Sequence, residues 1–200
     1  MIIESNKPIL NSLKLNSIAK ESVLVSNIDD LHEVSRHINN NNLKYLILGE
    51  GTNIIPPEFF DGLIIKSNFN FMSFSTPKII NVGSAVNWDE LVQFTLENKI
   101  KGFENLSLIP GSVGASPIQN IGAYGAEVSS LIDEVECFDF SKNESINLSN
   151  NECNFAYRSS SLKNSSLFIQ SIKFKVDESR TLNSEYKSIK TFMRSNNIDA

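Results

Sequence analysis

The stretch Pro110–Gly125, PGSVGASPIQNIGAYG, decides how the rest of this chain is interpreted. It holds four of the nine glycines in 200 residues and carries no charged side chain. Each glycine adds conformational entropy that folding must remove, so a merely connecting loop has little use for this composition. Glycines also let backbone N–H groups converge without obstruction by Cβ atoms, which favours a concave binding site for a diphosphate. A tightly packed turn beneath a sheet is the alternative interpretation.

A second glycine loop, GEGTN at Gly49–Asn53, follows the short apolar run KYLILG. It does not complete a GxGxxG fingerprint, and the sequence has no GxxxxGK motif, which disfavours a P-loop nucleotide hydrolase. GEGTN by itself fits an ordinary strand-exit turn as well as a ligand loop. Its predicted position at the carboxyl end of a buried strand favours the ligand loop, because α/β sheets often bind ligands there.

The order of predicted elements indicates an α+β protein. A strand at Val23–Val25, a helix capped by Asp29 or Asp30 and ending within residues 39–42, and the strand KYLILG predict a βαβ unit. Further strands are predicted at GLIIKS, KIINVGS, DEVECFDF and SLFIQSIKFKV, with a helix at NWDELVQFTLENKIKG that stops at Gly102.

Loss of periodicity at 69–78 predicts a boundary between a small α/β lobe, residues 1–73, and an α+β lobe, residues 74–200. Within the second lobe, the Ser/Asn-rich segment 141–152 predicts a surface excursion. In the last strand, Ser171, Lys173 and Lys175 alternate with apolar residues and predict one solvated face.

The charge and composition of the chain limit the kinds of partner and the location that we expect. A net charge of −5 and a pI near 5.1 predict no general attraction to nucleic acid or to anionic membranes. No run approaches the ~20 apolar residues that span a bilayer, and the start lacks a targeting pattern, so a cytoplasmic protein is expected. Cys137 and Cys153 are expected to stay thiols. His32 and His37 are expected on solvent-facing sides of the first helix, with no metal site.

Three blocks carry a family resemblance: GEGTN, GFENLSLIPGSVGASPIQNIGAYG and CNFAYRSSSLK, in that order and spacing. They resemble the UDP-N-acetylenolpyruvoylglucosamine reductases, flavoenzymes of peptidoglycan biosynthesis, and the similarity extends from KPILNSLKL to EYKSI. The resemblance implies a vanillyl-alcohol-oxidase-type (PCMH-like) FAD-binding fold with the cofactor between two α+β lobes. It also implies NADPH as reductant and a UDP-sugar enolpyruvate as substrate. Non-covalent FAD is expected, because both histidines lie away from the glycine loops.

The resemblance also implies roles for individual residues. FAD would be held by Gly49, Glu50, Gly51, Thr52 and Asn53, by Pro110, Gly111, Ser116, Pro117, Gly122, Ala123, Tyr124 and Gly125, and by Ile169. Arg158 matches the active-site arginine of the family, whose guanidinium stays cationic and offers paired donors to a carboxylate. Tyr157 and Tyr186 would bind substrate. Considered without the family, Arg158 would be interpreted as a surface residue in a salt bridge, and the two tyrosines as partly buried residues that pack at the edge of a lobe.

Two features depart from the family. Ser159 and Leu162 stand where relatives commonly have an acidic residue and a phenylalanine. Family members also continue into a third, substrate-binding domain with a GSFFKNP-like motif, whose serine donates a proton, and a late glutamate. Neither is found here, so the C-terminal third domain is expected to be absent. Three hypotheses stay open: the FAD-binding part of a reductase, a flavin-binding module that needs another domain or a separate chain, and another flavin oxidase of the same fold.

Overall fold

The computed structural model describes residues 1–163, 165–177, 184–196 and 198. The first sheet contains β1 Ile3–Pro8, β2 Ile18–Val25, β3 Tyr45–Ile47 and β4 Phe59–Ser67, in the order β1-β2-β4-β3. Helix α1, Ile28–Asn41, connects β2 to β3. Both strands run parallel to β4, which lies between them, while β1 pairs antiparallel with β2. The predicted βαβ unit is confirmed, with β4 inserted between its two strands.

Helix α1 begins two to three residues earlier than predicted. Its N-cap is Asn27, whose backbone is extended. The side-chain oxygen of Asn27 accepts a hydrogen bond from the Asp30 N–H at 3.0 Å. The prediction of Asp29 or Asp30 as the cap is therefore wrong. Both aspartates lie in the first turn instead, where the helix dipole favours negative charge. The helix ends where predicted, at the left-handed Asn42 with φ 48°.

The remaining elements form a second sheet and its surroundings. These are β5 Met72–Thr76, β6 Ile79–Gly83, α2 Trp88–Glu97, β7 Gly122–Ala123, β8 Ala126–Glu127, β9 Ile132–Asp139, β10 Glu144–Ser149, β11 Leu167–Lys175 and α3 Lys187–Asn196. The sheet has the antiparallel order β10-β9-β11-β6-β5, and β7 and β8 form a separate ribbon. Short 3-10 turns occupy Glu104–Leu106, Val113–Ala115 and Val128–Ser130.

The structure differs from the predictions at several points of the second lobe. Segment 141–152 lies at the surface as predicted, but Glu144–Ser149 within it form β10, an edge strand whose largely exposed side chains hid it from hydrophobic patterning. Helix α2 stops at Glu97 rather than Gly102. Ser171 is 2% exposed and donates to the Glu136 carboxylate, so the solvated face of β11 does not include it.

The two largest apolar clusters among the described residues organise the molecule. The larger lies between α2 and the second sheet, where the rings of Trp88, Phe103 and Phe174 contact one another. The other joins the two sheets, with Leu31 and Ile65 against Phe138 and Phe168, among others. The sheets therefore share a core. The predicted boundary between residues 73 and 74 falls within β5 and stays a prediction.

The two histidines are partly buried and the two cysteines are fully buried. The edge of the His32 ring packs on Phe138 at 5.0 Å, and His37 Nε2 lies 2.7 Å from the Glu21 carboxylate. Both histidines are half-buried, so the expectation of solvent-facing side chains is wrong. Cys137 and Cys153 are buried free thiols, and burial raises the pKa of Cys137 to about 12. Among the described residues, no helix is long and apolar enough to cross a bilayer.

Asp139, at the end of β9, gives the fold a pH dependence. Its carboxylate accepts from the Ser141 N–H at 2.9 Å and from the hydroxyls of Ser141 and Ser166 at 2.6 and 2.8 Å. Burial by itself raises its pKa, but these hydrogen bonds outweigh burial and hold the pKa below its usual 3.8. A depressed carboxyl pKa in the folded state stabilises the fold above the unfolded pKa, and this stability is lost as pH falls through the folded value.

We therefore expect Asp139→Asn to lower the free energy of unfolding more at pH 7 than at about pH 2.5. The asparagine cannot supply the ionised acceptor that three donors face, and the wild-type carboxyl loses its own charge in acid. Urea unfolding of both proteins at the two pH values measures the difference. An equal loss at both would contradict the assigned role.

Candidate functional site

Three neighbouring cavities lie beside the two glycine loops. The loop cavity, about 560 Å³, is lined by both glycine loops. The sheet cavity, also about 560 Å³, shares Gly49 and Ser112 with it and extends to Ile169. The outer cavity, about 950 Å³, lies beside the β7–β8 ribbon, and Arg158 lines both it and the loop cavity. These volumes fall within the range of roughly 300–1,000 Å³ typical of small-molecule sites.

The structure brings most of the predicted residues to these cavities. The loop cavity receives Gly49, Glu50, Gly51, Thr52, Asn53, Pro110, Gly111, Ser116 and Arg158; the outer cavity receives Gly122, Ala123, Tyr124, Gly125, Tyr157, Arg158 and Tyr186; the sheet cavity receives Gly49 and Ile169. Pro117 lines none of the three. The FAD- and substrate-binding roles of these residues stay predictions.

The first glycine loop is held between two other segments. Gly51 has a left-handed φ of 71°, and a Cβ there would lie 2.2 Å from the Leu10 carbonyl oxygen. The Ser12 N–H donates to the Gly51 carbonyl at 3.1 Å. On the other side, a Cβ on Gly49 would lie 2.6 Å from Ser112 Oγ. The loop therefore needs glycine at position 51, where backbone atoms block a side chain, whereas at position 49 a Cβ would force the Ser112 hydroxyl to move.

The second glycine loop packs on the connection from β6 to α2. The Gly111 carbonyl accepts from the Trp88 N–H at 2.9 Å, and Val113 N–H donates to the Val86 carbonyl at 2.8 Å. A Cβ on Gly114 would lie 2.5 Å from the Ser84 Cβ. Gly114 thus fits the tight-packing interpretation, whereas Gly111 lines the loop cavity with a left-handed φ of 128°. The packing interpretation is therefore confirmed for Gly114, and the diphosphate-binding interpretation stays a prediction for Gly111.

The Tyr157–Arg158 pair forms the tip of a tight turn. The Ser159 N–H donates to the Ala156 carbonyl at 3.1 Å, and Arg158 has a φ of 52°. A left-handed residue at the third position of such a turn is usually glycine or asparagine, so an arginine there marks a functional candidate. Its Nη2 donates to the Gly122 carbonyl at 3.1 Å. A guanidinium has five N–H donors, so it can bind an anion as well.

Aromatic rings surround the outer cavity. Tyr157 is 84% exposed, and its ring centroid lies 6.0 Å from the Arg158 guanidinium carbon. Tyr124 and Tyr186 are about half exposed, and their rings meet edge to face at 5.5 Å. This contact brings the start of α3 to the β7–β8 ribbon. The outer cavity therefore combines Arg158 and the Glu127 carboxylate with aromatic faces, so Arg158 is the group there that can bind the anionic part of a ligand that also carries a ring.

Sequence reasoning missed some residues that shape the site. Trp88 and Gln119 line the loop cavity, and Ser84 lines the sheet cavity. Trp88 Nε1 donates to the Leu106 carbonyl at 2.7 Å, which fixes the chain leading into the second glycine loop. Asn87 precedes an acidic first turn, the usual sign of a helix cap, but its contact with the first glycine loop spans 37 positions and has no sequence signal.

The geometry fits FAD. Gly49 and Gly111 line the loop cavity, and a Cβ on either would lie against the opposite glycine loop, 2.6 Å from Ser112 Oγ and 3.3 Å from Thr52 Oγ1. Backbone N–H groups in such loops bind phosphates without lysine. The adjoining sheet cavity offers apolar walls that include Leu48, Ile118 and Ile169, and these suit a flat ring.

Proteins of similar sequence are named UDP-N-acetylenolpyruvoylglucosamine reductase. The UDP-N-acetylenolpyruvoylglucosamine reductase of Buchnera aphidicola subsp. Schizaphis graminum is 38% identical over 157 residues, which are 77% of this chain and 46% of the relative. The same-named protein of Bdellovibrio bacteriovorus is 37% identical over 194 residues, which are 94% of this chain and 58% of the relative. The chain thus spans about half the length of these curated relatives.

Solved structures show the same fold. UDP-N-acetylenolpyruvylglucosamine reductase from Thermus caldophilus superposes with a TM-score of 0.74 at 20% identity, covering 98% of this chain and 70% of that one. p-Cresol methylhydroxylase superposes with a TM-score of 0.58 at 15% identity, covering 86% and 38%. The expected PCMH-like α+β fold is confirmed. A family profile described as an FAD binding domain matches residues 19–148. With most of its length inside that match, the chain belongs to the FAD binding domain family.

Proposed function

We propose that this chain is the FAD-binding part of a UDP-N-acetylenolpyruvoylglucosamine reductase. In that reaction NADPH is the reductant, and UDP-N-acetylglucosamine enolpyruvate becomes UDP-N-acetylmuramate, a peptidoglycan precursor. The sequence relatives carry that name at 37–38% identity. The observation that carries the proposal is Arg158, held with a left-handed φ of 52° where the loop cavity meets the outer cavity.

Bound FAD supplies the hydride-transfer chemistry. The chain's own part is to hold it without a covalent bond. The backbone of Gly49–Asn53 and Pro110–Gly111 would bind the pyrophosphate, and Ile169 would contact the cofactor from β11. The hydroxyl and the N–H of the buried Ser116 both donate to the Val113 carbonyl, at 2.7 and 3.0 Å, so Ser116 would contribute by holding the second glycine loop in shape.

Arg158 would act on the substrate. Addition of hydride to an enolpyruvyl double bond leaves negative charge that spreads onto the carboxylate, and a fixed guanidinium beside it lowers the energy of that state. The Gly122 carbonyl holds one arm of the guanidinium at 3.1 Å, which aims the others. Tyr157 and Tyr186, on the rim of the outer cavity, would bind the UDP-sugar. The proton would come from a serine outside these 200 residues, in a further domain or a separate chain.

A flavin-holding module that cannot complete the reaction is the second candidate. The observation that favours it is the loop cavity lined by both glycine loops, which would hold FAD whether or not the rest of the reaction is carried out. Such a module would bind FAD through the same two loops, and it would need a partner to supply the proton donor.

The test is an anaerobic titration of the purified chain with FAD, followed by NADPH, under a visible absorption spectrum. We expect a perturbed flavin spectrum at one FAD per chain and loss of the flavin bands on addition of NADPH. Binding without bleaching would support the flavin-holding module instead. A folded chain that binds no FAD would reject both candidates. Bleaching without restoration by the enolpyruvyl substrate would mean that the chain needs its proton-donor partner.

A further inference from the structure

Asn87 holds three groups together at the start of α2. Its side-chain oxygen accepts from the N–H groups of Asp89 at 2.9 Å and Glu90 at 3.3 Å, which caps the helix. Its side-chain nitrogen donates to Glu50 Oε1 at 2.8 Å, in the first glycine loop. Its backbone forms a β-bridge with Ser112, in the second glycine loop. One residue thus contacts α2 and both loops.

The chemistry of these contacts requires an amide. The helix presents two donors and Glu50 presents an acceptor, so the side chain between them must accept on one side and donate on the other. Among other good N-caps, aspartate has no donor for Glu50, and serine would have to serve the helix and Glu50 from one oxygen on a shorter side chain. An aspartate would keep the cap and turn a carboxylate oxygen toward the Glu50 carboxylate at hydrogen-bond distance, which replaces attraction by repulsion.

The surroundings of Asn87 are held firmly. The residues on either side of it, Val86 and Trp88, exchange backbone hydrogen bonds with Val113 and Gly111 at 2.8 and 2.9 Å. Trp88 is 1% exposed, so the first turn of α2 is anchored in the core. Because Asn87 lies in this anchored segment, its amide holds the Glu50 side chain in place through their hydrogen bond, although Glu50 itself is exposed.

We propose that Asn87 is a positioning residue, which fixes Glu50 and the first glycine loop against the second loop so that both meet FAD in one geometry. This rests on the proposed FAD site. It predicts that Asn87→Asp loosens the first loop and weakens FAD binding, although the substitution preserves the helix cap. It also predicts that Glu50→Gln relieves the defect, because the glutamine amide can donate to the new carboxylate.

The experiment is a double-mutant cycle of Asn87→Asp and Glu50→Gln. In the wild-type background we expect Asn87→Asp to raise the Kd for FAD about tenfold at low salt, and in the Glu50→Gln background no more than about threefold. Asn27→Asp is the matched control, since Asn27 also caps a helix, α1, with two acidic residues in its first turn. We expect Asn27→Asp to change the Kd by less than about twofold.

A second readout needs no cofactor. Backbone ¹⁵N relaxation of the free chain should show the order parameter of Glu50 falling from about 0.85 to below about 0.6 in Asn87→Asp, with recovery in the double variant. Recovery in the relaxation data supports the positioning role even if the wild-type chain binds no FAD, a result that would reject the proposed function alone. Equal effects of Asn87→Asp in both backgrounds, or an equal effect of Asn27→Asp, would overturn the inference.

Discussion

Replacing Gly51 by alanine is expected to raise the dissociation constant for FAD by about 100-fold or more, equivalent to about 2.7 kcal/mol. The added Cβ would lie 2.2 Å from the Leu10 carbonyl oxygen and 3.1 Å from the Asn11 Cα, and backbone atoms cannot rotate away from it. The left-handed φ of 71° adds strain of about 1–2 kcal/mol for a residue with a side chain. The first glycine loop must therefore shift relative to the segment that Ser12 ties to it.

The measurement is an FAD titration by absorbance, with circular dichroism to confirm that the variant is folded. Gly102→Ala is the matched control, because Gly102 also has a positive φ, 103°, and lies outside the lining of the three cavities. An alanine at position 102 would add backbone strain of the same kind without displacing either glycine loop. Wild-type affinity in a folded Gly51→Ala chain would show that the first loop does not hold FAD.

Arg158→Ala is expected to slow substrate-dependent oxidation of the reduced protein by about 100- to 1,000-fold, the usual cost of removing one preorganised donor to a developing anion. Arg158→Lys should recover a small part of the rate, since lysine restores the charge but not the paired donors. The assay is stopped-flow recovery of flavin absorbance after NADPH-reduced protein meets the enolpyruvyl substrate. Where the chain needs a partner to supply the proton, the partner is present in every reaction.

The control for Arg158 is Arg36→Ala. Arg36 lies exposed on α1 and donates to the His32 carbonyl at 3.3 Å, far along the chain from the Tyr157–Arg158 turn. It should leave the rate unchanged. The position of Arg158 at the junction of two cavities is specific to its turn, so equal effects of the two substitutions would point to general electrostatics rather than to a substrate contact.

Much of the candidate site was predictable because its chemistry is local in sequence. GEGTN and PGSVGASPIQNIGAYG carry their glycines where the loops need bare backbone, and the structure places both around one cavity. Predictions failed where the deciding contact is distant or where polarity hides an element. Strand β10 escaped notice because a strand at the sheet edge needs few apolar residues. Asn27 was missed as a cap because Asp29 and Asp30 are equally good cap residues by type.

Tertiary contacts also decided the fate of individual polar residues. Ser171 alternates with apolar neighbours as a solvated residue does, yet a register shift between Ile169 and Ser171 and the carboxylate of Glu136 keep it buried. His37 is half-buried because Glu21, on β2, lies opposite it. Neither contact follows from spacing along the chain.

The sequence by itself determined the α+β class, the two glycine loops and the membership in a flavin-binding family, because turn chemistry, apolar periodicity and motif spacing are properties of short segments. Only the tertiary structure decided that β4 enters between β2 and β3, that Arg158 stands at the meeting of two cavities, and that Asn87 reaches Glu50. Those outcomes depend on the packing of segments tens of residues apart. Local sequence patterns are compatible with several such arrangements, and tertiary packing determines which one forms.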